Sequence, residues 1–488
     1  MTAIKSRPST TPLAPAEASV EAHSASLKKE LGLRDLVLQQ IVYVVGTIWV
    51  GTAAKLGHSQ LIFWLAAIAF FYLPQAAVVI ALSNRMPLEG GLYQWARLGL
   101  GELAAFMVAW NLWLYAVVLI ATVGLLLGTN LSYVIGPSGA WLASNKTAIM
   151  LLNAGMIAGL MTIAALGLGV SKWLHNAGSV TLMLSFVVLI ALPFVHMARG
   201  TLPDYHAFAV TLPALSLFSL NVFGKMALGA LSGFEYVAVL AGETKDAGRS
   251  IGRATLIAAP VIAAMFILGT SAVLAFVPVD RINLIGPIPQ VFSIGFGSSA
   301  LGATMAGIAI LLLTVRSIAN SSIVFTGTSR MPMVAGWNNL LPAWFTKLHP
   351  KYRTPVNSIV FVGIAAIAFG AAGIAGVGEQ EAFQLLDNAA GIFYALTYLV
   401  LFAIPLMAFR SGPTGARLAL WLRVASASGF AVTLLYIVLS IFPIIDVTSW
   451  LSFAVKISGV VVGLNVVGAA LFFGERRRRE RREARFAR

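Results

Sequence analysis

Cysteine is absent from this chain of 488 residues. Its absence excludes a disulfide framework, thiolate metal sites and cysteine nucleophiles, and leaves the compartment unread. Histidine is scarce, with six residues and no H-x-x-x-H spacing on an apolar run. A histidine metal site or a nucleophile–base pair therefore has little to be built from. No Walker-type phosphate loop is present, which argues against primary pumping by this chain alone. Charge is sparse too: Asp, Glu, Lys and Arg make up 10% of residues, against about 25% in soluble domains. Residues 1–30 carry Ser, Thr, Pro and Ala without an apolar core, and read as a disordered tail rather than a signal peptide.

What fills the chain instead is apolar sequence, 59% by residue. Runs of about 18 or more apolar residues recur from Asp35 to Gly474, the mark of a polytopic membrane protein. Backbone groups in lipid must pair internally, which leaves helices or a closed barrel. The runs are rich in Leu, Ala, Val and Gly without alternation, so they predict helices. Twelve spans are expected, at 35–57, 60–84, 103–129, 147–167, 172–197, 220–242, 254–278, 301–329, 355–377, 386–409, 418–443 and 448–474. They make one membrane domain over 31–475, between the tail at 1–30 and a basic tail at 476–488.

The placement of Lys and Arg orients these spans. The loops on one side hold only Lys55, Lys146, Arg199 and Arg281, and Lys225, Arg316 and Lys456 fall within spans. The rest of the 33 basic residues lie on the side of both termini, which the positive-inside rule makes cytoplasmic. The net charge of +15 owes much to Arg476-Arg477-Arg478-Arg479-Glu480-Arg481-Arg482. That run reads as an anchor to anionic lipid headgroups, or as a regulatory tail, and not as a nucleic-acid site.

The segment Leu228-Gly229-Ala230-Leu231-Ser232-Gly233-Phe234-Glu235 departs from a plain span. Gly weakens a helix by roughly 1 kcal/mol relative to Ala, and a mid-bilayer carboxylate costs about 2.5–3.5 kcal/mol on insertion scales. Broken helices of this kind hold charged solutes at the midplane of transporters.

Three further stretches resemble amino acid permeases. Pro87-Leu88-Glu89-Gly90-Gly91-Leu92-Tyr93-Gln94-Trp95, followed by Gly101 and Trp110, resembles their P-x-x-G-G-x-Y signature after helix 2. Gly233-Phe234-Glu235 through Glu243 to Arg249 and Arg253 resembles their G-x-E and the charged loop after helix 6. Ser329-Arg330, Leu341-Pro342-Ala343-Trp344-Phe345 and Arg353-Thr354-Pro355 resemble the stretch after helix 8. The three occur in order over residues 31–475, and the chain is identified as similar to the amino acid–polyamine–organocation superfamily. The resemblance implies an all-α fold with 12 transmembrane helices. Its core is a LeuT-type 5+5 inverted repeat with broken helices 1 and 6, and two more helices are peripheral.

By the same resemblance, the break in helix 1 falls on Val50-Gly51-Thr52, where Gly51 and Thr52 would hold a substrate carboxylate; close small-residue packing is the other reading. Carbonyls freed around Gly229, Ser232, Gly233 and Phe234 would receive the ammonium. The family's aromatic gate aligns with Gly229, so that gate is absent or supplied elsewhere, with Phe234, Trp113 and Tyr394 as candidates. Glu235 is linked in the family to proton coupling or gating, and a bracing carboxyl is the alternative. Glu243 belongs to an intracellular gate with Arg249 or Arg330. Arg316 needs an anionic partner inside the membrane, from Glu235, Asp387 or an acidic substrate. The lysine that some proton-coupled relatives carry in helix 5 aligns with Ser185.

These readings lead to a secondary active transporter of amino acids or related amines, acting by alternating access as a proton symporter or an exchanger in a bacterial inner membrane. Sodium-coupled symport, a channel and a non-transporting receptor of permease fold remain the alternatives. No cofactor, metal or enzymatic activity is expected. The expected partners are a small-molecule amino acid and a bilayer with anionic headgroups.

Overall fold

The computed structural model describes residues 32–85, 91–235, 244–329, 342–352, 354–407 and 419–486. Along the first half these residues form α1 Leu33–Val44, α2 Trp49–Ala54, α3 Gln60–Ala67, α4 Leu73–Arg85, α5 Leu92–Leu100, α6 Glu102–Ala121, α7 Val123–Ile135, α8 Trp141–Ser144, α9 Lys146–Leu166 and α10 Leu168–Ala198. The second half adds α11 Leu217–Gly224, α12 Ala247–Phe276, α13 Pro287–Gly295, α14 Ala300–Thr328, α15 Val356–Ile374, α16 Glu379–Met407, α17 Leu420–Leu439 and α18 Trp450–Phe486. Wider π-turns at Ile68–Tyr72 and Lys225–Ala230 extend α3 and α11.

Ten helical stretches among the described residues are long and apolar enough to cross a membrane. The two expected spans missing from them are those at 35–57 and 220–242. Each is interrupted. Non-helical residues separate α1 from α2, and the stretch Leu217–Ala230 is too short to count with the ten. The expected tail at 476–488 is helical as far as Phe486, as a continuation of α18. Arg and Glu are strong helix formers, and Glu475 accepts from Arg478 at 2.6 Å one turn on.

The chain divides into two units. The first contains residues 1–108, 190–282 and 395–439. In it α1 lies along α12, where Leu36, Ile251 and Ala254 are buried together. α4 packs on α12 and α17, and α2 meets the π-turn that follows α11.

The second unit contains residues 109–189, 283–394 and 440–488. Here α9 packs on α7 and α15 around Ile120, Val123, Ile157, Leu160, Phe325 and Val362. α18 docks on α6 through small and polar residues. Gly468 lies against the Trp110 indole, whose Nε1 donates to Leu464 O at 3.0 Å, and Asn111 Nδ2 donates to Asn465 Oδ1 at 2.8 Å. Leu451, Val455, Val462 and Val466 of α18 are exposed, as suits a helix that meets lipid.

Between α6 and α7 the helix is interrupted at Thr122. The Gly124 amide is satisfied by Asn153 Oδ1 of α9 at 3.1 Å, and Gly370 of α15 lies directly against the same amide side chain. A buried donor in lipid has no water to turn to. Asn153→Leu leaves the Gly124 amide without this partner and should destabilise the protein by about 1–3 kcal/mol. A lowered thermal unfolding midpoint in detergent checks this, and an unchanged midpoint would contradict it.

Candidate functional site

The two interrupted spans meet inside the first unit. α1 ends at Val44, and the Val45 and Gly46 amides turn back to Ile41 O and Val44 O, both at 2.9 Å. The chain becomes helical again at Trp49, where the amides of Gly51 and Thr52 each donate to Ile48 O at 3.1 Å. The break therefore lies at residues 45–48 and not at Val50-Gly51-Thr52 as expected: those three are helical, within α2, and buried, because the small residues Gly51, Ala53 and Ala54 let the short helix pack closely.

In the sixth expected span, the π-turn at Lys225–Ala230 leads into non-helical backbone at Ser232 and Gly233. Gly233 has φ +125°, a conformation that glycine adopts without steric cost. A side chain there would also strike the end of α1, since a Cβ on Gly233 would stand 2.8 Å from Tyr43 Cδ1 and 3.0 Å from Val44 Cγ2. Glycine is thus required by both conformation and contact.

The broken backbone is held by two side chains, Gln75 and Tyr398. Gln75 of α4 is fully buried, and its neighbours set the orientation of its amide. Its nitrogen donates to Leu231 O at 2.9 Å, and its oxygen accepts from the amides of Gly233 at 3.1 Å and Phe234 at 3.0 Å. The Tyr398 hydroxyl of α16 lies 2.6 Å from the same oxygen, accepts from the Gly233 amide at 2.7 Å, and is hydrogen-bonded to Glu235 Oε2. Glu235 is 4% exposed. Glu235 stands out in the sequence; Gln75 and Tyr398 do not. A Gln in the middle of an apolar span was the available signal for Gln75.

The remaining expected residues are placed as follows. Phe234 is fully buried and stacks on Tyr72, with centroids 4.6 Å apart. Trp113 packs between Trp110 and Phe361, and Tyr394 stacks on Tyr115 at 4.3 Å, all within the second unit. The aromatic that lies on Gly229 is none of these three. It is Trp49, whose Cη2 and Cζ3 would stand 2.5 and 2.7 Å from a Cβ at that position.

Arg316, buried in α14, and Asp387, half-buried in α16, belong to the second unit, whereas Glu235 belongs to the first. Near Arg316 on α14, Thr314 accepts from Asn130 at 3.1 Å, and Ser322 lies 3.2 Å from His175 Nε2. Ser185 is buried and donates to Thr181 O within its own helix at 2.7 Å. Glu243 lies outside the described residues.

Gln75→Leu removes partners from the Leu231 carbonyl and the Phe234 amide, and should destabilise the protein by about 1–3 kcal/mol for each group left unpaired. Tyr398→Phe should cost less, because Gln75 still accepts from Gly233 and one group, the Glu235 carboxyl, loses a partner rather than two. Thermal unfolding of the purified variants in detergent tests this ranking, and the reverse order would refute the clamp.

Comparison with known proteins gives the family and the fold. A family model described as amino acid permease matches residues 36–464. An uncharacterized transporter of Legionella pneumophila is 26% identical, over 80% of this chain and 83% of its own. The methylthioribose transporter of Bacillus subtilis is 27% identical, over 73% of this chain and 77% of its own. Among solved structures, MhsT in complex with L-phenylalanine superposes with a TM-score of 0.60 at 16% identity, covering 83% of this chain and 97% of that one. That last likeness is one of fold. With the family model spanning most of its length and transporters as its relatives, the chain belongs to the amino acid permease family, as a multi-pass membrane transporter and not an enzyme.

Proposed function

We propose that the protein is a secondary active transporter that carries an amino acid or a related amine by alternating access. The observation that carries this reading is the meeting of two interrupted spans beside a buried carboxylate, Glu235. In this reading the twelve expected spans form two inverted sets of five and two peripheral helices. Both termini face the cytoplasm of a bacterial inner membrane. Val50, Gly51 and Thr52 lie at the carboxylate end of the solute. Gly229, Ser232, Gly233 and Phe234 line the ammonium end, where freed carbonyls favour a cation.

Glu235 supplies the coupling. The Tyr398 hydroxyl has one proton to give. When Glu235 is ionised, that proton goes to the carboxylate. When Glu235 carries its own proton, it donates to the Tyr398 oxygen, and Tyr398 donates to the Gln75 oxygen. The Gln75 oxygen also receives the Gly233 and Phe234 amides, so the protonation of Glu235 is felt at the backbone of the break. Proton symport and proton-linked exchange both follow from such a link. Arg316, Asp387 and Glu243 are proposed to act in gating, and an acidic solute would be answered by Arg316.

Proteoliposomes holding the purified chain test this reading against the twenty amino acids, putrescine and methylthioribose, with a pH gradient or a sodium gradient imposed. Saturable uptake of at least one solute is expected, with accumulation driven by the pH gradient. Glu235→Gln should abolish that accumulation while one-for-one exchange continues. Flux without saturation would favour a channel, and accumulation driven by sodium alone would reject coupling through Glu235.

A further inference from the structure

Gly46 and Gly229 lie at opposite edges of one side chain. A Cβ on Gly46 would stand 2.6 Å from both Cδ1 and Nε1 of Trp49. A Cβ on Gly229 would stand 2.5, 2.7 and 3.0 Å from its Cη2, Cζ3 and Cζ2. The indole thus spans from the break after α1, which meets its pyrrole edge, to the π-turn after α11, which meets its benzo edge. Both approaches are closer than any side chain at position 46 or 229 would allow, so the two glycines serve this one ring.

Trp49 is not packed as a core tryptophan is. Trp64 and Trp95 of the same unit are 0% and 1% exposed, whereas Trp49 is only half-buried, beside fully buried Val50 and Ala53. Its helix, α2, is six residues long, so the ring rides on a short element between two interruptions. The π-turn beneath the indole is backbone without a covering side chain of its own at Gly229.

We propose that Trp49 is the aromatic cover of the helix-6 break, supplied by α2 because Gly229 has no side chain, and that its benzo edge limits the size of the solute admitted there. The second half of this inference rests on the transport reading above, and the first half does not. A compact amino-bearing solute passes beneath the ring. A bulkier one requires the space that the benzo edge occupies. Trp49 is in this sense a specificity-determining residue that closes the site from a different helix than the one it covers.

The chain has no native cysteine, so Ser232→Cys places a single thiol at the break of the full-length protein. In proteoliposomes, a membrane-impermeant methanethiosulfonate should label that thiol at least an order of magnitude faster when Trp49→Ala is also present. Equal labelling in the two backgrounds overturns the cover. The uptake panel of twenty amino acids, putrescine and methylthioribose reads the size limit. Trp49→Ala should raise the uptake of the larger solutes relative to the smaller ones, and an unshifted profile in a transporting protein overturns it.

Gly229→Ala should itself depress uptake, because its methyl meets the ring. Trp49→Phe with Gly229→Ala should recover part of that loss, since a phenyl ring does not reach as far. Even if Trp49→Ala does not fold, the size limit is read from these two variants across the panel: the loss in Gly229→Ala and its recovery in the double variant should fall mainly on the larger solutes, and an equal effect on small and large solutes overturns it. If the native chain moves no solute of the panel, the transport reading falls and the size limit falls with it, while the labelling ratio still decides whether Trp49 covers the break.

Discussion

An interrupted helix inside a bilayer exposes amides and carbonyls that no water can satisfy. The structure of the first unit follows from how that deficit is met at the sixth expected span. Gln75 is the right group for it, because a side-chain amide is donor and acceptor at once. One end takes the Leu231 carbonyl, and the other takes the amides of Gly233 and Phe234. A carboxylate could accept those amides but could not donate to the carbonyl, and an aliphatic side chain could do neither. The break is therefore a conformation held from α4 rather than a frayed end.

The same interaction joins backbone to charge. Tyr398 touches the Gly233 amide, the Gln75 oxygen and Glu235, so an ionisable group is one hydroxyl away from the main-chain geometry of the break. Desolvation makes the charged form of a buried carboxylate costly unless it is hydrogen-bonded.

Much of the architecture was legible in the residues. Long apolar runs have one stable solution in lipid, so helices and their approximate bounds follow from composition alone. The two spans that fall short of crossing as single helices are the ones in which glycine and polar residues collect, near Gly46 and Gly51 and near Gly229 and Gly233. The segment around Gly233-Phe234-Glu235 is non-helical at Ser232 and Gly233, as its glycines suggest. The aromatic cover was not legible in the same way. The family's aromatic position falls on Gly229, and Phe234, Trp113 and Tyr394 are the aromatics the resemblance offers in exchange. Trp49 sits in the first span, 180 residues earlier in the chain, and nothing in its local pattern shows that its ring crosses to the sixth.

Patterns within a segment carried membrane residence, helical class, which spans are interrupted and the carboxylate set in one of them, because each of these is a contest between a local stretch and its solvent; the position of the first break, at residues 45–48 rather than on Val50-Gly51-Thr52, was set by packing. Partnership required the folded chain. That Gln75 satisfies the break, that Tyr398 links it to Glu235, and that Gly46 and Gly229 are small for the sake of Trp49 depend on contacts between residues far apart in sequence. Contacts of that kind are set by how helices pack, and no local stretch of sequence encodes them.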